Sequence, residues 1–271
     1  MRISRGRGAL CSVMMGAALV LGASPLAFGQ NAVDAAQELA SALDGAVGGI
    51  STADQLAALE AAAAAGDPMA LWQLGLMYES GEGVTQDKAK AFGYFAQIAD
   101  QHADASPTGT EAEIVAHSFV KMGEYYNEGL PEAGITKDEG VSIKLILHAA
   151  SYFGDPEAQY KVGLAYQDPE ELGVNPLQSA RWYTLAARKG HVAAQANLGN
   201  LLFNGDGGVE ANPVEGLMWL TVASRHSAGT PDEGWVNDLL YAAMSVATPE
   251  QREEAVSLAD SLGPRFGGAT F

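Results

Sequence analysis

Five histidines, His102, His117, His148, His191 and His226, are the side chains best suited to acid–base or metal chemistry near neutral pH. No two of them stand three to five residues apart, so no helix face presents a pair of imidazole ligands. His191 falls where Asp67 and Asp155 stand in related segments, which predicts a helix cap. His148, beside Ala149-Ala150, reads as a packed or half-buried side chain. Asn204, Asp206 and Glu210 resemble the start of a calcium loop, but the residue at its twelfth position, Glu215, lies past Pro213 in an expected helix. Asp168, Glu170 and Glu171 make an acidic loop better suited to solvent than to a tightly held cation. Adjacent carboxylates such as Glu253-Glu254 point to different helix faces. No serine or threonine occupies a nucleophile elbow. Gly81-x-Gly83 lacks the third glycine and the preceding strand of a dinucleotide site, and no lysine follows a glycine-rich loop in phosphate-binding register. The expectation is a protein that is not an enzyme and takes no cofactor and no metal.

The N-terminus carries a different signal. Arg2, Arg5 and Arg7 precede the charge-free apolar run Ala9–Phe28, and Ala27-Phe28-Gly29 offers small residues at the positions a signal peptidase reads. Residues 1–29 are therefore expected to be a signal peptide cleaved after Gly29, with the mature chain in the periplasm. Cys11 is the only cysteine and leaves with that segment, so no disulfide or cysteine metal site is expected. Removing three arginines leaves 12 basic residues against 33 acidic ones, a charge of −21. Such an excess opposes nucleic acid and anionic lipid, and no later run is long enough to insert in a membrane.

The elements that would position any functional residue come from a repeat. Gly154-Asp155-Pro156-Glu157-Ala158 returns 36 residues later as Gly190-His191-Val192-Ala193-Ala194, and the same block stands at Gly66-Asp67-Pro68-Met69-Ala70. Nine residues after each leading glycine comes another, Gly75, Gly163 or Gly199, followed three residues on by Tyr78, Tyr166 or Leu202. A period of this length marks stacked helical units. Each unit reads as a helix A, a glycine loop and a helix B. Asp67 caps helix A with Pro68 in its first turn, Leu71, Leu74, Met77 and Tyr78 form its apolar face, and Asp87 caps helix B. Asn175-Pro176 and Asn212-Pro213 start later B helices in the same way. A glycine inside helix A costs about 1 kcal/mol against alanine, so its return argues for close approach of helix B. The unit around Ile114 to Ala150 is degenerate, with an inserted surface loop at Asp104–Thr110 and a long loop at Gly129–Thr136. The expected organisation is a degenerate helix pair over 30–65, four units over 66–226, and capping helices with a tail over 227–271. Thr248-Pro249-Glu250-Gln251 is a capping box for the last helix. The predicted fold is an all-α, right-handed solenoid of tandem antiparallel helix pairs.

Ala70, Leu74-Gly75, Tyr78, Gly81, Gly83-Val84, Asp87, Lys90-Ala91 and Tyr94-Phe95 follow one pattern. It recurs as Ala158, Val162-Gly163, Tyr166, Gly173-Val174, Ala180, Trp182-Tyr183, Ala186-Ala187 and Gly190. The pattern resembles the Sel1-like repeat, a relative of the tetratricopeptide repeat. The signal-like start, the insertion near Ser106-Pro107, the Gly129–Ile135 stretch and the run from Ala180-Arg181-Trp182-Tyr183 to Gly199-Asn200-Leu201-Leu202-Phe203 resemble the periplasmic exopolysaccharide regulators of the ExoR type. That resemblance implies a negative regulator whose partner is another protein, the periplasmic domain of a membrane sensor kinase. The chain departs from the cysteine-rich secreted members of the repeat family, which staple each unit with a disulfide.

In stacked helix pairs the A helices line the concave face. Their polar residues are the expected partner contacts: Gln73, Lys121, Tyr125, Gln159, Gln195, Asn197 and Asn200, with Glu79, Glu124 and Lys161 among them. A glycan-binding or envelope-assembly scaffold is the alternative, with Tyr125, Tyr160 and Trp219 as stacking surfaces.

Overall fold

A computed structural model describes residues 52–266. The expected signal segment, the first alanine-rich stretch of the N-terminal pair and the tail after Phe266 lie outside them. The described residues form eleven α-helices in sequence: α1 (Thr52–Ala64), α2 (Pro68–Ser80), α3 (Lys88–Gln101), α4 (Ala112–Glu128), α5 (Glu139–His148), α6 (Pro156–Ala165), α7 (Pro176–Arg188), α8 (Val192–Asn204), α9 (Pro213–His226), α10 (Glu233–Val246) and α11 (Pro249–Leu262). No strand forms among them; one isolated antiparallel bridge joins Leu130 to Ile135. The last turn of α5 widens into a π segment, Ala149–Phe153.

Helix starts follow the sequence signals. Asp67 Oδ1 accepts the Met69 and Ala70 amides at 2.9 and 3.1 Å. Asp87, Asp138, Asp155, Asn175 and Asn212 each accept an amide in the first turn of the following helix. Each such bond satisfies one of the donors a helix start leaves open. The Thr248–Gln251 capping box is formed at the start of α11. Helix α4 lacks this device: Glu111 precedes it with no side-chain cap.

One backbone hydrogen bond recurs in every unit and closes the A–B loop. The amide of the residue capping helix B donates to a carbonyl near the end of helix A. The pairs are Asp87 to Tyr78 (2.8 Å), Asp138 to Tyr126, Asn175 to Tyr166 and Asn212 to Leu202 (each 2.7 Å). The intervening loops differ in length, so the bond fixes the pairing of the helices while the loop absorbs insertions.

The repeated glycine of helix A has the packing role its recurrence implied. A Cβ at Gly163 would lie 2.4 Å from Tyr183 Cε1, and one at Gly75 would lie 2.5 Å from Phe95 Cε1. At Gly199 it would meet the Gly216 carbonyl and Leu220 at 2.8 Å, and at Gly123 it would meet Ile146 at 2.8 Å. In the first and third units a large aromatic of helix B therefore fills the space a side chain on helix A would take. Overlapping clusters carry this packing along the array: Leu71, Phe95 and Val115 in the first part, Val120, Ile146 and Val162 in the middle, Tyr183, Leu217 and Trp219 in the last. Each unit buries its apolar surface against its neighbours, as a solenoid requires. Helices α10 and α11 close the far end, with Val236, Ala255 and Ala259 fully buried.

Candidate partner-binding face

Helices α2, α4, α6 and α8 are the A helices of four successive units, and their polar side chains meet across the unit boundaries. Glu79 on α2 receives Lys121 Nζ of α4 at 3.0 Å. One helical turn on, Glu124 lies 3.5 Å from Lys121 and 2.9 Å from Lys161 Nζ of α6. Lys161 also reaches Glu157 at 3.4 Å, and Glu157 Oε2 lies 2.9 Å from His191 Nε2 at the start of α8. Glu79, Lys121, Glu124, Lys161, Glu157 and His191 thus form one continuous ladder from the first unit to the fourth. Each lysine is shared by two carboxylates. Alternating charges of this kind hold one another in place more firmly than isolated surface pairs do.

The environment tunes these groups. Burial acts to lower the Lys121 and Lys161 ammonium pKa values, but the flanking glutamates more than offset it and hold both above the ordinary lysine range. Burial acts to raise Glu157, yet the His191 hydrogen bond and the Lys161 ammonium hold its carboxyl down at about 2. His191 Nδ1 accepts the Ala194 amide at 3.1 Å, which leaves Nε2 to donate to Glu157. The imidazole thereby acts as the helix cap its position implied and also ties two units together.

The expected contact residues divide. Lys121 belongs to the ladder. Gln73, Asn197 and Asn200 are half-buried on the same set of helices; Asn197 donates to the Tyr160 hydroxyl and Asn200 accepts from Asn204. Gln159, Gln195 and Tyr125 are corrected: all three are buried, at 4%, 0% and 5% exposure. Gln159 Nε2 donates to the Ala150 carbonyl at 3.1 Å, and Gln195 Nε2 bonds the Ala187 and Phe266 carbonyls. These amides satisfy backbone groups at helix ends inside the stack and offer nothing to a partner. The Tyr125 ring packs edge-on against Phe92 and its hydroxyl donates to Glu79 at 3.1 Å. Trp219 is likewise buried, with its ring centroid 4.5 Å from that of Phe266. The stacking surface that a glycan scaffold would need at Tyr125 and Trp219 is therefore not exposed.

Sequence reasoning missed the partners of His117. Its Nε2 lies 3.0 Å from Asp155 Oδ2, deep between α4 and the start of α6. It also missed Glu157 as a ladder member, although Glu157 and Lys161 stand at the i, i+4 spacing that signals a helix-surface pair. Among the described residues no group of three His, Cys, Asp or Glu side chains is placed to hold a metal ion.

The family model for the Sel1 repeat matches residues 68–102, 120–151, 156–191 and 192–227, together about half of the chain. The chain belongs to the Sel1 repeat family. The four matched segments fall on α2–α3, α4–α5, α6–α7 and α8–α9. A solved Sel1 repeat protein from Oxalobacter formigenes superposes with a TM-score of 0.57 at 25% identity, covering 78% of this chain and 80% of that one. Among curated proteins, the "Exopolysaccharide production negative regulator" of Rhizobium leguminosarum bv. viciae is 32% identical over 191 residues, which span 70% of this chain and 68% of the relative. Its namesake in Rhizobium meliloti (strain 1021) is 27% identical over the same span. The Sel1 repeats and the helical solenoid give the chain the architecture of a protein-interaction scaffold. No helix among the described residues is long and apolar enough to cross a membrane.

Proposed function

We propose that this Sel1 repeat protein is a periplasmic negative regulator of exopolysaccharide production that binds the periplasmic part of a membrane sensor kinase and holds it off. The observation that carries the reading is the similarity, over two thirds of both chains, to a protein named for that regulation. The −18 charge of the full chain, which leaves nucleic acid and anionic lipid as poor partners, supports a protein target. The mechanism is a population shift: the array binds one kinase state better than the other and moves their equilibrium by that difference in affinity. The pre-formed ladder supports it, because a face already ordered loses little conformational entropy on binding. Release follows acidification or a cut in the exposed Asp104–Thr110 loop.

The test has two arms. Deleting the gene is expected to raise exopolysaccharide output, and the mature chain immobilised on resin is expected to retain a sensor kinase from detergent-solubilised inner membrane. Unchanged output, or retention of no inner-membrane protein, would overturn the reading.

A further inference from the structure

A groove of about 610 Å³ opens between the second and third units. It is lined by the inserted 107–110 loop, the first turns of α4, the Phe153–Pro156 turn and the end of α7. Such a volume suits a small organic molecule. The last residue of α7 and the one after it, Arg188 and Lys189, both line the groove. Neither forms an ion pair among the described residues, although the chain carries more than two acids for each base.

Two carboxylates also line the groove, and only one is open to a ligand. Asp155 is buried and committed: one oxygen accepts the Ala158 amide and the other meets His117. Glu113 is exposed. Lys189 Nζ donates to the Gly154 carbonyl, which pins the ammonium over the groove and leaves two of its three donors unused. Burial pulls the Lys189 pKa down and Asp155 answers only in part, so a second anion nearby would favour the charged form. The lining also supplies an aromatic body: Phe153 stacks on Phe119 and meets His148 edge-on, which fixes its ring.

We propose that this groove binds a small organic carboxylate with a flat apolar body, its charge at Arg188 and Lys189 and its ring against Phe153. The site is built wholly from this chain, so it stands whether or not a kinase partner is found.

The test is calorimetric titration of the purified chain with 2-naphthoate and with its neutral isostere 2-naphthamide. Naphthoate is expected to bind at least about tenfold more tightly, because charge-assisted hydrogen bonds are lost with the amide. The double variant Arg188→Gln/Lys189→Gln, shown folded by circular dichroism, is expected to lose a similar factor. Glu113→Gln is expected to tighten binding. Arg181→Gln, on the exposed side of α7 and outside the groove, is expected to leave it unchanged. Equal affinity for naphthamide, no binding of naphthoate, full retention in the double variant, or an equal loss in Arg181→Gln would each overturn the assignment.

Discussion

His117 Nε2 lies 3.0 Å from one oxygen of Asp155, whose other oxygen accepts the Ala158 amide at 2.7 Å. One buried carboxylate thus caps α6 and anchors α4 to it, joining the second unit to the third. Removing the imidazole would leave that charge half-satisfied in the interior, so His117→Ala is expected to cost about 3 kcal/mol. The pair also sets a pH dependence. Burial acts to lower the His117 pKa, but Asp155, with Glu113 and Glu157 behind it, raises it above 6.5. A folded pKa above the unfolded one gives stability that is complete below pH 6.5 and fades as pH climbs through the folded value. Urea unfolding of the wild type and His117→Gln between pH 5.5 and 8.5 checks this; parallel curves would refute it.

Gly163 and Gly93 make a contrasting pair. Alanine at Gly163 places a methyl 2.4 Å from the Tyr183 ring, while alanine at Gly93, exposed on α3, meets nothing within 4 Å. Both substitutions gain about 1 kcal/mol of helix propensity. Only the first must displace a fully buried tyrosine, at roughly 2–3 kcal/mol. Gly163→Ala is therefore expected to destabilise by about 1–2 kcal/mol and Gly93→Ala to stabilise by about 0.5–1 kcal/mol. Equilibrium denaturation of both variants decides whether packing or propensity governs the repeat glycine.

Glu157 sets the acid limit of the ladder. Its carboxyl is held at about 2, below the ordinary glutamate value of 4.5. A depressed folded pKa gives stability that is present above pH 4.5 and lost as the pH falls towards 2. Glu157→Gln removes the titrating group, so its thermal midpoint is expected to fall less steeply than the wild type's between those limits. The same slope in both proteins would show that Glu157 does not feel the ladder.

The far cap depends on Phe266. Its carbonyl accepts Gln195 Nε2 at 2.8 Å and its ring lies against Trp219, while Gln195 Oε1 meets His226 Nδ1 at 3.0 Å. Phe266→Ala is expected to cost about 1–2 kcal/mol, since the ring is only half-buried. A chain ending at Leu262 is expected to lose more, because Gln195 then also loses the Phe266 carbonyl. Tryptophan fluorescence followed through denaturation reads both, as Trp219 is the reporter beside the lost ring.

Much of the array was legible because its signals are local. A cap bonds an amide two or three residues away, as at Asp67, Asp155 and His191. A glycine that recurs in mid-helix against its propensity points to close packing wherever it stands. The ladder was legible only in part. Lys121 with Glu124, and Glu157 with Lys161, stand within one helical turn, whereas Glu79–Lys121, Glu124–Lys161 and Glu157–His191 join residues 34 to 42 positions apart. Their meeting depends on how far one unit is shifted and turned against the next.

The sequence by itself determined the helices, their caps, the period of the array and the glycine that lets each pair close. These follow from backbone hydrogen bonding and sterics within a few residues. The tertiary structure alone decided the fate of the polar side chains: Gln159 and Gln195 became internal ties, Glu157 and His191 a bridge between units, and Arg188 and Lys189 part of the lining of a groove. A polar residue on a helix carries no local mark of what will cover it. Burial is set by the neighbouring unit, and only stacking brings that neighbour into place.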